Sequence, residues 1–176
     1  MNLWHDISAG KKTPEQVNVI IEIPKGSRVK YELDKETGLI QFDRVLYSPM
    51  HYPANYGFVP RTLWEDGDPL DVLVLAHDEI VPGALVEARV IGVLAMNDSG
   101  DDDAKVLAVP VTDPRFANTH DISDLEPHLL AESRHFFAVY KELQNKEVTV
   151  GEWEGREAAL KVVKRSFDLY REKYGE

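Results

Sequence analysis

The chain has 176 residues, 43% of them apolar and 29% charged, a size and balance suited to one water-soluble globular domain over residues 1–176. Lys and Arg number 20 against 31 Asp and Glu; the net charge of −11 repels phosphate backbones and anionic lipid surfaces and argues against nucleic-acid or membrane partners. With no cysteine there can be no disulfide, cysteine-ligated zinc or thiol nucleophile, and with no export signal in Met1 to Asp6 the expected location is cytoplasmic.

In chain order, short β-branched apolar stretches run from Val17 to Ile23, Leu39 to Leu46, Val72 to Ala76, Leu85 to Leu94 and Val106 to Val111. Turn residues separate them, which predicts a strand-rich first part. In Lys30-Tyr31-Glu32 the first and third side chains share one strand face, about 7 Å apart, so a cation sits beside a carboxylate. A surface ion pair has the same pattern. Leu39 to Leu46 reads as a buried strand, and Arg44 inside it is therefore expected to need an anionic partner. Tyr52-Pro53-Ala54-Asn55-Tyr56-Gly57 reads equally well as plain packing.

Asp66-Gly67-Asp68-Pro69-Leu70-Asp71 holds three carboxylates within a span of at most about 20 Å. Gly67 permits a tight turn, Pro69 stiffens it and the apolar run from Val72 anchors it, an arrangement suited to a hard cation. An Asp-Gly turn whose acids cap backbone groups is the alternative. A second acidic loop, Asn97 to Asp103, precedes Lys105. Neither loop carries the Gly and Glu that a calcium EF-hand places at its sixth and twelfth positions.

After Asp121 the apolar period lengthens. Leu129, Leu130, Phe136, Phe137, Tyr140 and Leu143, then Leu160, Val163, Phe167 and Tyr170, predict two amphipathic helices. Ser123 with Glu126, followed by Pro127, reads as a capping box opening the first, and Gly155 precedes the second. Strands closed on themselves with helices outside make an α+β barrel. Tyr140 continues the apolar stripe, and Lys141 beside it could simply snorkel.

Taken together, these segments resemble the family I soluble inorganic pyrophosphatases of bacterial type, in order from about Glu22 to Lys141. The strongest element is Asp66-Gly67-Asp68-Pro69-Leu70-Asp71-Val72. It is joined by Ile21-Glu22-Ile23-Pro24, Lys30-Tyr31-Glu32, Asp43-Arg44, Tyr52-Pro53, Asn55-Tyr56-Gly57, Asp98, Asp103-Ala104-Lys105, Phe136-Phe137 and Tyr140-Lys141. The resemblance implies a five-stranded OB-like barrel with flanking helices that hydrolyses pyrophosphate by direct attack of a magnesium-activated water. It further implies metal ligands at Asp66, Asp71, Asp98 and Asp103, a further one at Glu32, and hydrogen-bonded support from Glu22. Phosphate binding falls to Lys30, Arg44, Tyr56, Tyr140 and Lys141, with Lys105 and Tyr52 nearby. Asp68 takes the general-base position, with Lys30, Arg44 and Tyr56 also catalytic. Bacterial members are usually hexamers, and His135 matches a histidine of their subunit contact, although a second such histidine is here Val139.

Seven candidate acids (Glu22, Glu32, Asp66, Asp68, Asp71, Asp98, Asp103) face four candidate cations (Lys30, Arg44, Lys105, Lys141). With the charge of pyrophosphate added, neutrality calls for about three to four divalent cations, and magnesium suits the oxygen-rich donor set. Two other functions fit parts of the pattern. One is a phosphatase with an aspartyl nucleophile in Asp66-Gly67-Asp68. The other is an OB-like nucleic-acid module with Tyr52 and Tyr56 as stacking platforms.

Overall fold

The computed structural model describes residues 1–175, with nine strands and two α-helices. In chain order the strands are β1 (Gln16–Ile23), β2 (Val29–Leu33), β3 (Ile40–Val45), β4 (Asn55–Phe58), β5 (Asp71–Val74), β6 (Leu85–Asp98), β7 (Asp101–Asp102), β8 (Lys105–Pro110) and β9 (Val148–Gly155). The helices are α1 (Pro127–Val139) and α2 (Arg156–Tyr174).

Five strands close into a ring. β1 pairs antiparallel with β4, β4 with β5, β5 runs parallel to β8, β8 is antiparallel to β6, and β6 returns to β1. Register shifts between Ile21 and Ile23 and between Val90 and Gly92 supply the local bends that closure needs. At Gly57 the backbone of β1 comes so near that a Cβ would lie 2.0 Å from the Ile20 carbonyl oxygen. Only glycine fits there.

The apolar runs are continuous because both faces of the strands are covered. Val72, Val74, Val106 and Ala108 join a core that includes Ala159 and Val163 of α2. Their neighbours Leu73, Leu107 and Val109 join a second core with Phe136 and Phe137 of α1. This is the expected α+β fold, with both C-terminal helices and an OB-like ring of five strands.

Three local expectations are corrected. Leu39 to Leu46 is no buried strand: β2 and β3 form a separate hairpin, where Leu39 and Phe42 are exposed. The capping box belongs to a single 3-10 turn, Ile122–Asp124, in which Asp121 and Asp124 are the reciprocal pair. α1 begins at Pro127 with Glu126 at its N-cap and no side-chain cap, and the Ser123 hydroxyl donates to Asp121 instead. Leu143 lies beyond α1 in another 3-10 turn and is exposed.

Candidate active site

The loop that joins β4 to β5 is built by its own backbone. The Trp64 amide donates to the Asp68 carbonyl at 2.8 Å, the Gly67 amide to the Trp64 carbonyl at 3.0 Å, and the Asp68 amide to Asp66 Oδ1 at 3.0 Å. Gly67 takes φ +87°, which a side chain would oppose. Asp71 opens β5 in direct register with Lys105, which opens β8 only two residues after Asp103. Parallel pairing therefore brings Asp71 and Asp103 together, and the loop adds Asp66. Asp66, Asp71 and Asp103 each offer a carboxylate oxygen, all within 4.8 Å of one another.

Lys105 lies buried among them. Its Nζ donates to Asp71 Oδ2 at 2.6 Å, Asp103 Oδ1 at 2.8 Å and the Tyr56 hydroxyl at 2.8 Å. Burial opposes its charge, but Asp71 and Asp103 more than offset this and hold its pKa well above the usual lysine range. One ammonium cannot balance the whole cluster. Burial, then the Asp71 charge, push the Asp66 carboxyl up to about 8, and burial raises Asp71 despite Lys105. Glu22 on β1 is also pushed up to about 8, first by burial and then by Asp71; its Oε2 accepts the Leu33 amide at 2.7 Å and so fixes the end of β2.

The hairpin supplies cations. Lys30 lies opposite Arg44 in the ladder, and its Nζ reaches Glu32 at 3.0 Å and Asp43 at 2.9 Å. Burial disfavours its charge, but these two carboxylates raise its pKa. Arg44 Nη1 donates to Asp43 at 2.6 Å, which leaves Nε and Nη2 buried without a hydrogen-bond partner among the described residues. Orphaned guanidinium nitrogens of this kind are rare and mark a place for an anion. The expected partner of Arg44 is thus adjacent Asp43, and only in part. Lys141, just past α1, is paired with Asp98 at the end of β6, and its pKa is lowered by burial and by the charges of Lys30 and Arg44. Asp98 is turned to that lysine rather than to the three clustered acids.

A cavity of about 590 Å³ joins these parts. Glu22, Lys30, Glu32, Tyr56, Asp66, Asp68, Asp71, Asp98, Asp103, Lys105, Tyr140 and Lys141 line it. Arg44 and Tyr52 are not on its walls. Tyr52 is only 2% exposed and packs 4.8 Å from Phe136, and Tyr56 is 9% exposed, so neither ring offers a face for stacking a base. The wall also includes Lys35 and Asp101. Lys35, two residues past β2, drew no attention in the sequence, where it reads as an exposed turn lysine. Clustered carboxylate oxygens beside buried cations suit a hard divalent cation together with a phosphate-like anion.

The inorganic pyrophosphatase family model matches residues 19–171. The chain belongs to the inorganic pyrophosphatase family. It is 53% identical over 167 residues to a soluble inorganic pyrophosphatase of Oryza sativa subsp. indica, covering 95% of this chain and 78% of that protein. It is 53% identical over 171 residues to soluble inorganic pyrophosphatase 2 of Chlamydomonas reinhardtii, covering 97% and 89%. The crystal structure of inorganic pyrophosphatase from Thermus thermophilus superposes with a TM-score of 0.93 at 44% identity, covering 97% of this chain and 99% of that one.

Proposed function

We propose that this chain hydrolyses inorganic pyrophosphate to two phosphates by direct attack of water, with magnesium as its cofactor. The observation that carries the reading is the convergence of Asp66, Asp71 and Asp103 within 4.8 Å, in the same cavity as Lys30 and Lys141. In this reading Asp66, Asp71, Asp98, Asp103 and Glu32 hold the metal, about three to four ions with substrate present. Bound there, magnesium would neutralise phosphate charge and make water acidic enough to attack near neutral pH.

The chain's own groups do the rest. Asp68, half-exposed at the cavity mouth, takes the proton of the attacking water. Lys30, Arg44 and Lys141 bind the departing phosphate and stabilise its growing charge, aided by the Tyr56 and Tyr140 hydroxyls. Lys105 keeps the acids together before substrate arrives, Tyr52 backs Tyr56 with ring centroids 5.6 Å apart, and Glu22 steadies β2. No covalent intermediate is needed.

No helix of the described residues is long and apolar enough to cross a membrane, and the reading includes a cytoplasmic location. It also includes self-association, a hexamer favoured, with exposed His135 on α1 as a contact. Phosphate release from pyrophosphate, measured with magnesium and with excess chelator, tests the function: release with the metal and none with the chelator is expected, and full activity in chelator would overturn it.

A further inference from the structure

The hairpin of β2 and β3 carries Lys30, Glu32 and Arg44, yet its strands pair only with each other and not with the ring that carries the clustered acids, to which the Leu33 amide ties it through Glu22. Among the described residues one ion pair joins the two, Lys35 Nζ to Asp68 Oδ1 at 2.5 Å across the cavity mouth. The same ammonium lies 3.4 Å from the Gly67 carbonyl oxygen. Asp68 is tied down elsewhere only through its backbone: its amide donates to Asp66 and its carbonyl accepts the Trp64 amide. Its carboxylate has no other hydrogen-bond partner among the described residues, and it follows Gly67, the most permissive residue type.

Lys35 is itself placed with some care. The Asp34 carboxylate accepts the Thr37 amide at 3.1 Å, and the Gly38 amide returns to the Asp34 carbonyl at 2.7 Å, so the turn is fixed at the point where Lys35 leaves it. As a stability device an ion pair this exposed, with side chains 53% and 50% accessible, contributes little. Its geometric consequence is larger, because a general base acts only from within hydrogen-bond reach of the proton it takes.

From these contacts we infer that Lys35 is a positioning residue for the reaction: it aims the Asp68 carboxylate and couples the phosphate-binding hairpin to the acidic loop. The inference rests on the base role proposed for Asp68. Lys35 touches no reacting atom and acts through its partner.

A double-mutant cycle with steady-state kinetics tests it. Lys35→Ala should lower kcat about tenfold to a hundredfold with KM changed less than about threefold, because misaimed groups slow the chemical step. Lys35→Arg should restore most of the loss. In an Asp68→Asn background Lys35→Ala should cost less than about twofold further. Unchanged melting temperatures are expected, since Lys35 is exposed. A wild-type kcat for Lys35→Ala, a loss confined to KM, or an undiminished loss in the Asp68→Asn background would each overturn the positioning role. Failure of the base role is separable: it would show as near wild-type activity of Asp68→Asn alone.

Discussion

Lys105 Nζ lies 2.6 Å from Asp71 Oδ2, a buried ion pair at the first residues of two parallel strands. It places a protein cation among carboxylates that are proposed to hold metal. Replacing Lys105 with Met would leave Asp71 and Asp103 buried and uncompensated, at a cost of about 3–5 kcal/mol in the metal-free protein. Denaturant unfolding should show that loss, and magnesium should recover part of it by binding the folded state. A variant as stable as wild type in chelator would contradict this reading of the cluster.

Asp71→Ala and Asp101→Ala separate the two kinds of acid in the same cavity. Asp71 is part of the cluster, whereas Asp101 is an exposed residue of β7 with no ion-pair partner among the described residues. The first should lose at least about a hundredfold in turnover and the second less than about threefold. Equal losses in a phosphate-release assay would count against the ligand assignment.

Metal binding should release protons. With Asp66 pushed up to about 8, its carboxyl keeps a proton at pH 7 that a cation must displace. Magnesium affinity should therefore rise between about pH 6 and 8. Calorimetry in two buffers of different ionisation enthalpy measures the release directly, and identical heats in both would refute it.

The stability of the metal-free protein should fall as pH rises. Glu22 has an ordinary value of 4.5 and is pushed up to about 8 in the fold, chiefly by burial. Below that ordinary value it is protonated folded and unfolded alike. Between the two values the folded state keeps a proton that the unfolded state has released, so each step up in pH weakens folding, by up to a few kcal/mol in all. Glu22→Gln should remove much of that slope, seen as a flatter melting temperature from pH 5 to 8 in chelator.

Much of this was legible in sequence because it rests on local pattern. Asp66 to Asp71 is a contiguous turn anchored by an apolar strand, and the helical stripes of α1 and α2 keep their period. What escaped depends on which strands meet. Val148–Gly155 became β9 only by pairing with β6, and its glycines and glutamates hid an alternation that packing completes. Leu39 to Leu46 read as buried because most of its residues are apolar, whereas the hairpin leaves Gln41, Phe42 and Val45 of β3 exposed. Asp98 and Lys141 lie far apart in the chain, and only the closure of β6 beside α1 makes them partners. Lys35 was invisible for the same reason: its partner Asp68 lies across the cavity mouth.

The absence of a covalent intermediate is the point on which water attack and an aspartyl nucleophile differ most. Radiolabelled pyrophosphate mixed with excess enzyme and magnesium, then quenched in acid through a single turnover, reports both phosphate release and any phosphate held on the protein. Free phosphate rising in one phase, with no acid-stable label on the chain at any time, is the expected result. Acid-stable label on the chain during that turnover, with borohydride releasing it as phosphate and converting Asp66 or Asp68 to homoserine, would contradict the account.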